Sequence, residues 1–372
     1  MSDIPDLDDR NKILDDSINN KIDLSNKFCE HPFDNFEPHS DGSVATCCMS
    51  WLPYLIGNIN DQSPDSIYNS QKAQDIRRSI LDGSFKYCDH RVCPRIQNRS
   101  LPNKDEITNE RHRDIIDNNK VIMDYPIKIN CLYDPSCNLS CPSCRVEKIS
   151  FIKGEQYEYR LKIHNNLINF ILKKDLVDGC TFNITGSGDP FGSKIFRDFL
   201  LNFDGDKHPE ITIDLQTNGV MLTPKMWNSI HRIHKNIGLI MVSFDAALPS
   251  TYSKVRKGGD WEILINNIKN LCQQRPEYIK RLRLDFVVQD SNYKEMPKFV
   301  TLGKSFGCVD MVCFSMITNW VWTDEAFKEK AIWHKDHPDF EDFMSVLRSE
   351  ELKDQNFVDM SNLHSYYLEA NK

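Results

Sequence analysis

The chain has 372 residues, 40% of them hydrophobic and 10% aromatic, which is enough to bury one large core and a smaller one. Its formal net charge of -8 excludes the strongly basic surface that tracks nucleic-acid phosphates and suits a small or neutral substrate better. No apolar run approaches the roughly 20 residues that span a bilayer. The polar start from Met1 to Asn26 lacks the apolar core of a signal peptide, so the expected location is the cytoplasm.

In chain order, residues 1–26 are rich in Asp, Asn and Lys with isolated Ile and Leu, too little apolar area to order a segment, and are expected to form a disordered leader. Residues 27–96 read as a compact cysteine-rich unit with a hairpin turning at Asp41-Gly42. A helix follows from about Ser66, with Ala73, Ile76 and Ile80 on one face and Gly83 as its stop. The polar, charged stretch 97–120 is expected to be a linker. Residues 121–318 then repeat strand, loop and helix, the signature of parallel βα units. Strands are expected at 127–133, 181–186, 211–217, 238–245, 281–289 and 309–315. The clearest helix carries Trp261, Leu264, Ile265, Ile268 and Leu271 as one apolar stripe. Another begins with Thr223 as N-cap and Pro224, with Met226, Ile230 and Ile233 inward. Six such units make an α/β partial barrel, whose chemistry sits at the C-terminal ends of the strands. Residues 319–372 form a C-terminal extension, and Asn319-Trp320-Val321-Trp322 either lines the substrate mouth or packs the open edge of the barrel.

Thirteen cysteines are many for an intracellular chain, and in a reducing compartment they read as metal ligands before disulfides. Cys137, Cys141 and Cys144 lie in one short loop directly after the first barrel strand. Three thiolates leave one iron of a four-iron cluster open to a small molecule. A structural zinc loop is the alternative, but zinc wants four ligands and no suitably spaced fourth follows. Cys131, on the strand, reads as a packed residue.

This loop, Cys137-Asn138-Leu139-Ser140-Cys141-Pro142-Ser143-Cys144, resembles the cysteine loop of the radical S-adenosylmethionine superfamily, though Ser143 stands where many members carry an aromatic residue. The resemblance implies that S-adenosylmethionine chelates the open iron and is cleaved to a 5′-deoxyadenosyl radical that takes a substrate hydrogen atom. Further matches follow in order. Gly186-Ser187-Gly188-Asp189-Pro190 resembles the family's Gly-rich segment for the methionine ammonium, and Thr217-Asn218-Gly219 resembles a segment near the cofactor. Ser243 and Asp245 end the fourth strand, where the family directs polar groups to the cofactor, and Arg256 is either a carboxylate partner or a solvated surface charge.

Cys29, Cys47, Cys88 and Cys93 form the second group. Twelve residues separate Cys29 from Gly42 and four separate Gly42 from Cys47, which resembles the opening of SPASM and twitch domains. The resemblance implies an auxiliary 4Fe-4S cluster, here ahead of the barrel. Four thiolates could equally close a zinc site. Cys48 competes with Cys47 as a ligand. Cys180, Cys272, Cys308 and Cys313 read as buried small hydrophobes. Cys313 also carries a functional reading, as a hydrogen donor from the sixth strand if the reaction is an epimerisation.

The leading expectation is an enzyme that oxidises or epimerises a sugar, cyclitol or other small metabolite, by analogy in polysaccharide or secondary-metabolite biosynthesis. Its electron donor, implied by family, is a flavodoxin or ferredoxin. The alternatives are a maturase that crosslinks or epimerises a ribosomal peptide, and a non-catalytic iron–sulfur sensor or zinc scaffold.

Overall fold

A computed structural model describes residues 22–275 and 277–372; the expected leader falls mostly outside them. The fold is mixed α/β with a parallel sheet, and the chain divides into two compact units. The first comprises residues up to Asp134 together with 153–182. The second comprises 135–152 and 183–372. The division therefore falls within the βα region, not in the stretch 97–120, which is structured by a capped turn at Lys104–Glu106 and a helix at Glu110–Asp117.

In the first unit, strands β1 (Asn35–Pro38), β2 (Ser43–Ala45) and β3 (Gly57–Asn58) form an antiparallel meander, and β1 pairs in parallel with β4 (Lys128–Cys131). The β1–β2 turn sits at Asp41-Gly42 as expected. Gly42 has φ +77°, and the Asp41 carboxylate accepts from the Ser43 amide at 3.1 Å. The expected helix breaks in two, Pro64–Tyr68 and Gln71–Leu81, because Ser70 restarts it as an N-cap on the Ala73 amide. Ala73, Ile76 and Ile80 face inward, and so does Arg77. Its guanidinium meets the Pro32 and Val121 carbonyls at 2.9 and 2.7 Å and lies 4.4 Å from the centre of the Tyr68 ring.

The long helix Glu155–Ile171 of this unit buries His164, whose Nδ1 lies 2.7 Å from the Tyr133 hydroxyl. Burial pushes this imidazole down to about 4. A histidine depressed in the folded state contributes stability that is complete above its unfolded value near 6.5 and is lost as pH falls towards 4. We expect a loss of up to about 3 kcal/mol over that window. His164→Phe should flatten the pH dependence of the urea midpoint between pH 7.5 and 4.5; an unchanged slope would assign the effect elsewhere.

In the second unit, β6 (Ile211–Thr217), β7 (Ile237–Ser243), β8 (Arg281–Val288), β9 (Met311–Met316) and β10 (Val358–Asp359) run parallel, each paired with the next. Strand β5 (Cys180–Ile184) straddles the division between the units. Every expected strand is present, each end within two residues of its expected position. One was not expected: β10 extends the sheet beyond β9 from within the C-terminal extension. Alternation sorts the side chains. Val242, Phe286 and Phe314 are fully buried on one face, where Phe299 of the helix Met296–Ser305 packs 4.9 Å from Phe286 and 5.9 Å from Phe314. The opposite face is polar, with Gln216, Ser243, Asp285 and Ser315.

The helix Trp261–Gln274 starts at its Asp260 cap and buries Leu264, Ile268 and Leu271, as its stripe implies. The helix after Thr223 ends at Ser229, and the next turn tightens to a 3-10 helix over His231–Asn236. That change of phase turns Trp227 inward in place of Met226. Cys272 and Cys308 are not separate buried residues but half-exposed partners in a disulfide, since the end of one helix and the loop before β9 bring their Cα atoms to 5.3 Å. Among the described residues no helix is long and apolar enough to cross a membrane.

Candidate functional site

In the second unit the loop from Pro135 to Arg145 is held by its backbone. The Cys137 amide meets the Ile149 carbonyl at 2.9 Å, the Ser140 amide meets Lys257 O at 3.0 Å, and a turn places the Cys144 amide on Cys141 O at 3.0 Å. Cys137 and Cys141 are buried, while Cys144 is exposed. Gly192 makes this packing possible: a Cβ there would stand 2.8 Å from the Asn138 nitrogen and 3.0 Å from Cys137 Cα.

Each thiol has a donor beside it. Cys137 Sγ lies 3.4 Å from the Leu139 amide and 3.7 Å from Asn218 Nδ2. Cys141 Sγ lies 3.8 Å from Arg256 Nη1, and Cys144 Sγ 3.3 Å from Arg145 Nη2. Burial pushes the Cys137 thiol up to about 11 and also raises Cys141. Ligation to a metal reverses such a shift outright, so these positions suit thiolates only with a cation present.

The three cysteines line one cavity of about 270 Å³. Gly186, Ser187, Gly188, Asn218, Ser243 and Asp245 line it with them, so the structure brings together most of the residues expected there. Asp245 has φ +60° and binds Arg256 Nη2 at 2.9 Å and the Val287 amide at 2.7 Å. Burial pushes its carboxyl up against the pull of Arg256. Arg256 is therefore a half-buried carboxylate partner, not a solvated charge.

Two expected residues stand elsewhere. Asp189 is fully buried and does not line the cavity. Its carboxylate accepts from the Phe191 and Gly192 amides at 2.9 and 3.0 Å, and from the Thr217 hydroxyl and Asn218 amide at 2.8 Å each. It joins the Gly-rich segment to the end of β6 instead of facing a ligand. Cys313 shares a face of β9 with Ser315 but lies one step below the cavity, 3.7 Å from the Asp359 carboxylate, and burial pushes its thiol up to about 12. Arg145, Thr185, Gln216 and Ser315, which carried no motif in the sequence, also line the cavity. Trp320 does so too, 73% exposed.

The four N-terminal cysteines lie in the first unit. Cys88 interacts electrostatically with Cys29, Cys93 and Cys47, and Cys47 with Cys29 and Cys93. Burial pushes Cys29 up to about 12 and raises Cys47 and Cys88 well above the ordinary thiol range. Cys48 is half-exposed and adjoins the group through Cys47. Arg95, paired with Glu30 at 2.7 Å, reaches Cys29 Sγ at 3.7 Å, and His31 Nδ1 lies 4.0 Å from Cys47 Sγ. Among the described residues no three His, Cys, Asp or Glu side chains converge on a single-ion site.

Residues 29–94 match the SPASM family, an iron–sulfur cluster-binding domain. The chain is 26% identical over 175 residues to a probable GTP 3′,8-cyclase of Methanocaldococcus jannaschii, a match covering 46% of this chain and 53% of the relative. It thus spans about half the length of that curated relative. A solved structure of polyhistidine-tagged anSMEcpe with bound AdoMet aligns with TM-score 0.41 and 17% identity, over 64% of this chain and 63% of that one. Residues 29–94 are thus a SPASM iron–sulfur domain. This match sets an iron–sulfur cluster-binding domain ahead of strands β4 to β10 in the chain.

Proposed function

We propose that the chain is a cytoplasmic enzyme that removes a hydrogen atom from a sugar, cyclitol or similar small neutral metabolite, leading to oxidation or epimerisation. Cys137, Cys141 and Cys144 would hold the cluster that binds S-adenosylmethionine, and Cys29, Cys47, Cys88 and Cys93 the auxiliary one. When bound, cluster and S-adenosylmethionine supply a 5′-deoxyadenosyl radical. Asn218 and the Leu139 amide direct donors at the Cys137 sulfur, and the Asp245–Arg256 pair places a charge beside Cys141.

The observation that carries the substrate class is the lining of the cavity. Its charged groups are already committed, Arg256 with Asp245 and Arg145 with two carbonyls and a thiol. The side chains of Gln216, Ser243, Ser315 and Thr318 make no hydrogen bond among the described residues. They offer neutral donors and acceptors, which match hydroxyls and leave an ionic ligand without a counter-charge. Ser243 would serve the cofactor. Ser315, Thr318 and the exposed Trp320 indole remain for the substrate, and an indole face suits the apolar face of a sugar ring.

The test is transfer of deuterium from labelled sugars or cyclitols into 5′-deoxyadenosine. Trp320→Ala should raise KM about tenfold, the worth of one aromatic contact, while substrate-free S-adenosylmethionine cleavage stays unchanged. Deuterium arriving from a peptide, with none from sugars or cyclitols, would transfer the reading to peptide maturation.

A further inference from the structure

Arg145 directly follows the last cysteine of the loop, a position at which a sequence shows only a surface charge. Its residue is 8% exposed, although Cys144 beside it is exposed. The guanidinium spans three acceptors. Nη1 donates to Pro135 O at 2.6 Å, and Nη2 donates to Ser187 O at 2.8 Å and stands 3.3 Å from Cys144 Sγ.

Burying a guanidinium carries a desolvation cost of several kcal/mol unless an anion answers it. The other two arginines beside cysteine sulfurs have a carboxylate, Asp245 for Arg256 and Glu30 for Arg95. Among the described residues Arg145 has none. What it faces is the cysteine loop: Cys144 Sγ lies within 3.3 Å, and Cys137 and Cys141 line the same cavity.

We infer that Arg145 is the counter-charge built for the three-cysteine site, a positioning residue that fixes Cys144 against the Gly-rich segment and favours the reduced form of a cluster bound there. This rests on the reading that the loop holds a cluster. Three thiolates leave such a site anionic and each added electron makes it more so, so a buried cation beside one sulfur stabilises the reduced state more than the oxidised one. The two carbonyl bonds hold the guanidinium in place without neutralising it.

The experiment is an anaerobic, EPR-monitored redox titration of the reconstituted full-length wild type, Arg145→Gln and Arg145→Lys. It follows the signal that changes on adding S-adenosylmethionine and so belongs to this site. Arg145→Gln should hold wild-type iron yet show a reduced-to-oxidised ratio about tenfold lower at a fixed solution potential, equivalent to about 59 mV for a one-electron couple. Arg145→Lys, which keeps the charge and loses the planar fork, should recover most of that shift. An unchanged midpoint in Arg145→Gln would overturn the inference, as would an equally low midpoint in Arg145→Lys. Loss of iron from both variants would leave only a structural tether and overturn the charge role. A wild type with no signal responsive to S-adenosylmethionine would instead sink the reading of the loop itself.

Discussion

Asp189→Ala should destabilise the protein by about 4 kcal/mol, because three buried donors and one half-buried one lose their acceptor together and each unsatisfied group costs about 1–3 kcal/mol, though not additively. The donors belong to two segments, the turn that leads into the helix Lys194–Asn202 and the end of β6. The Asp189 backbone reaches a third, its amide donating to Ser136 O at 2.9 Å, one residue before Cys137. Asn218 carries the effect onward, since its side-chain amide donates to Asn138 Oδ1 at 2.8 Å and lies beside Cys137 Sγ. Loss of this carboxylate should therefore lower both the urea midpoint and the iron retained after anaerobic reconstitution. Asp189→Asn should fail almost as badly, because its NH2 group turns a donor towards two of the existing donors. Wild-type stability and iron content in Asp189→Asn would show that the fourfold acceptor is dispensable, and that Asp189 serves some other purpose such as contact with a ligand.

The strands were legible in the sequence because each is a short apolar or alternating run bounded by turn residues, and such runs declare themselves locally. The three-cysteine loop was legible for the same reason: its spacing lies within eight residues. What escaped depends on partners distant in the chain. Arg145 meets Ser187 across 42 residues, and nothing in its neighbours distinguishes it from a solvated arginine. Asn267 interrupts an apolar stripe, yet it is buried because its amide caps the Gly219 and Val220 carbonyls at 2.8 and 3.0 Å, securing the turn that carries Asn218. Asp189 was found through its Gly-rich surroundings and given a ligand, whereas the fold fills both of its oxygens. Strand β10 is two residues long, too short for any periodicity, and is defined only by its pairing with β9.

In the proposed function the loop at Cys137, Cys141 and Cys144 holds a cluster that cleaves S-adenosylmethionine, with a second cluster at the N-terminal cysteines. The direct test is anaerobic reconstitution of wild type and the Cys137→Ala/Cys141→Ala/Cys144→Ala variant, counting iron and zinc and assaying reductant-dependent 5′-deoxyadenosine. About eight irons are expected in wild type and about four in the variant, as two four-iron clusters and one require, with 5′-deoxyadenosine from wild type alone. Zinc in place of iron, or a full complement of iron with no 5′-deoxyadenosine, would contradict it.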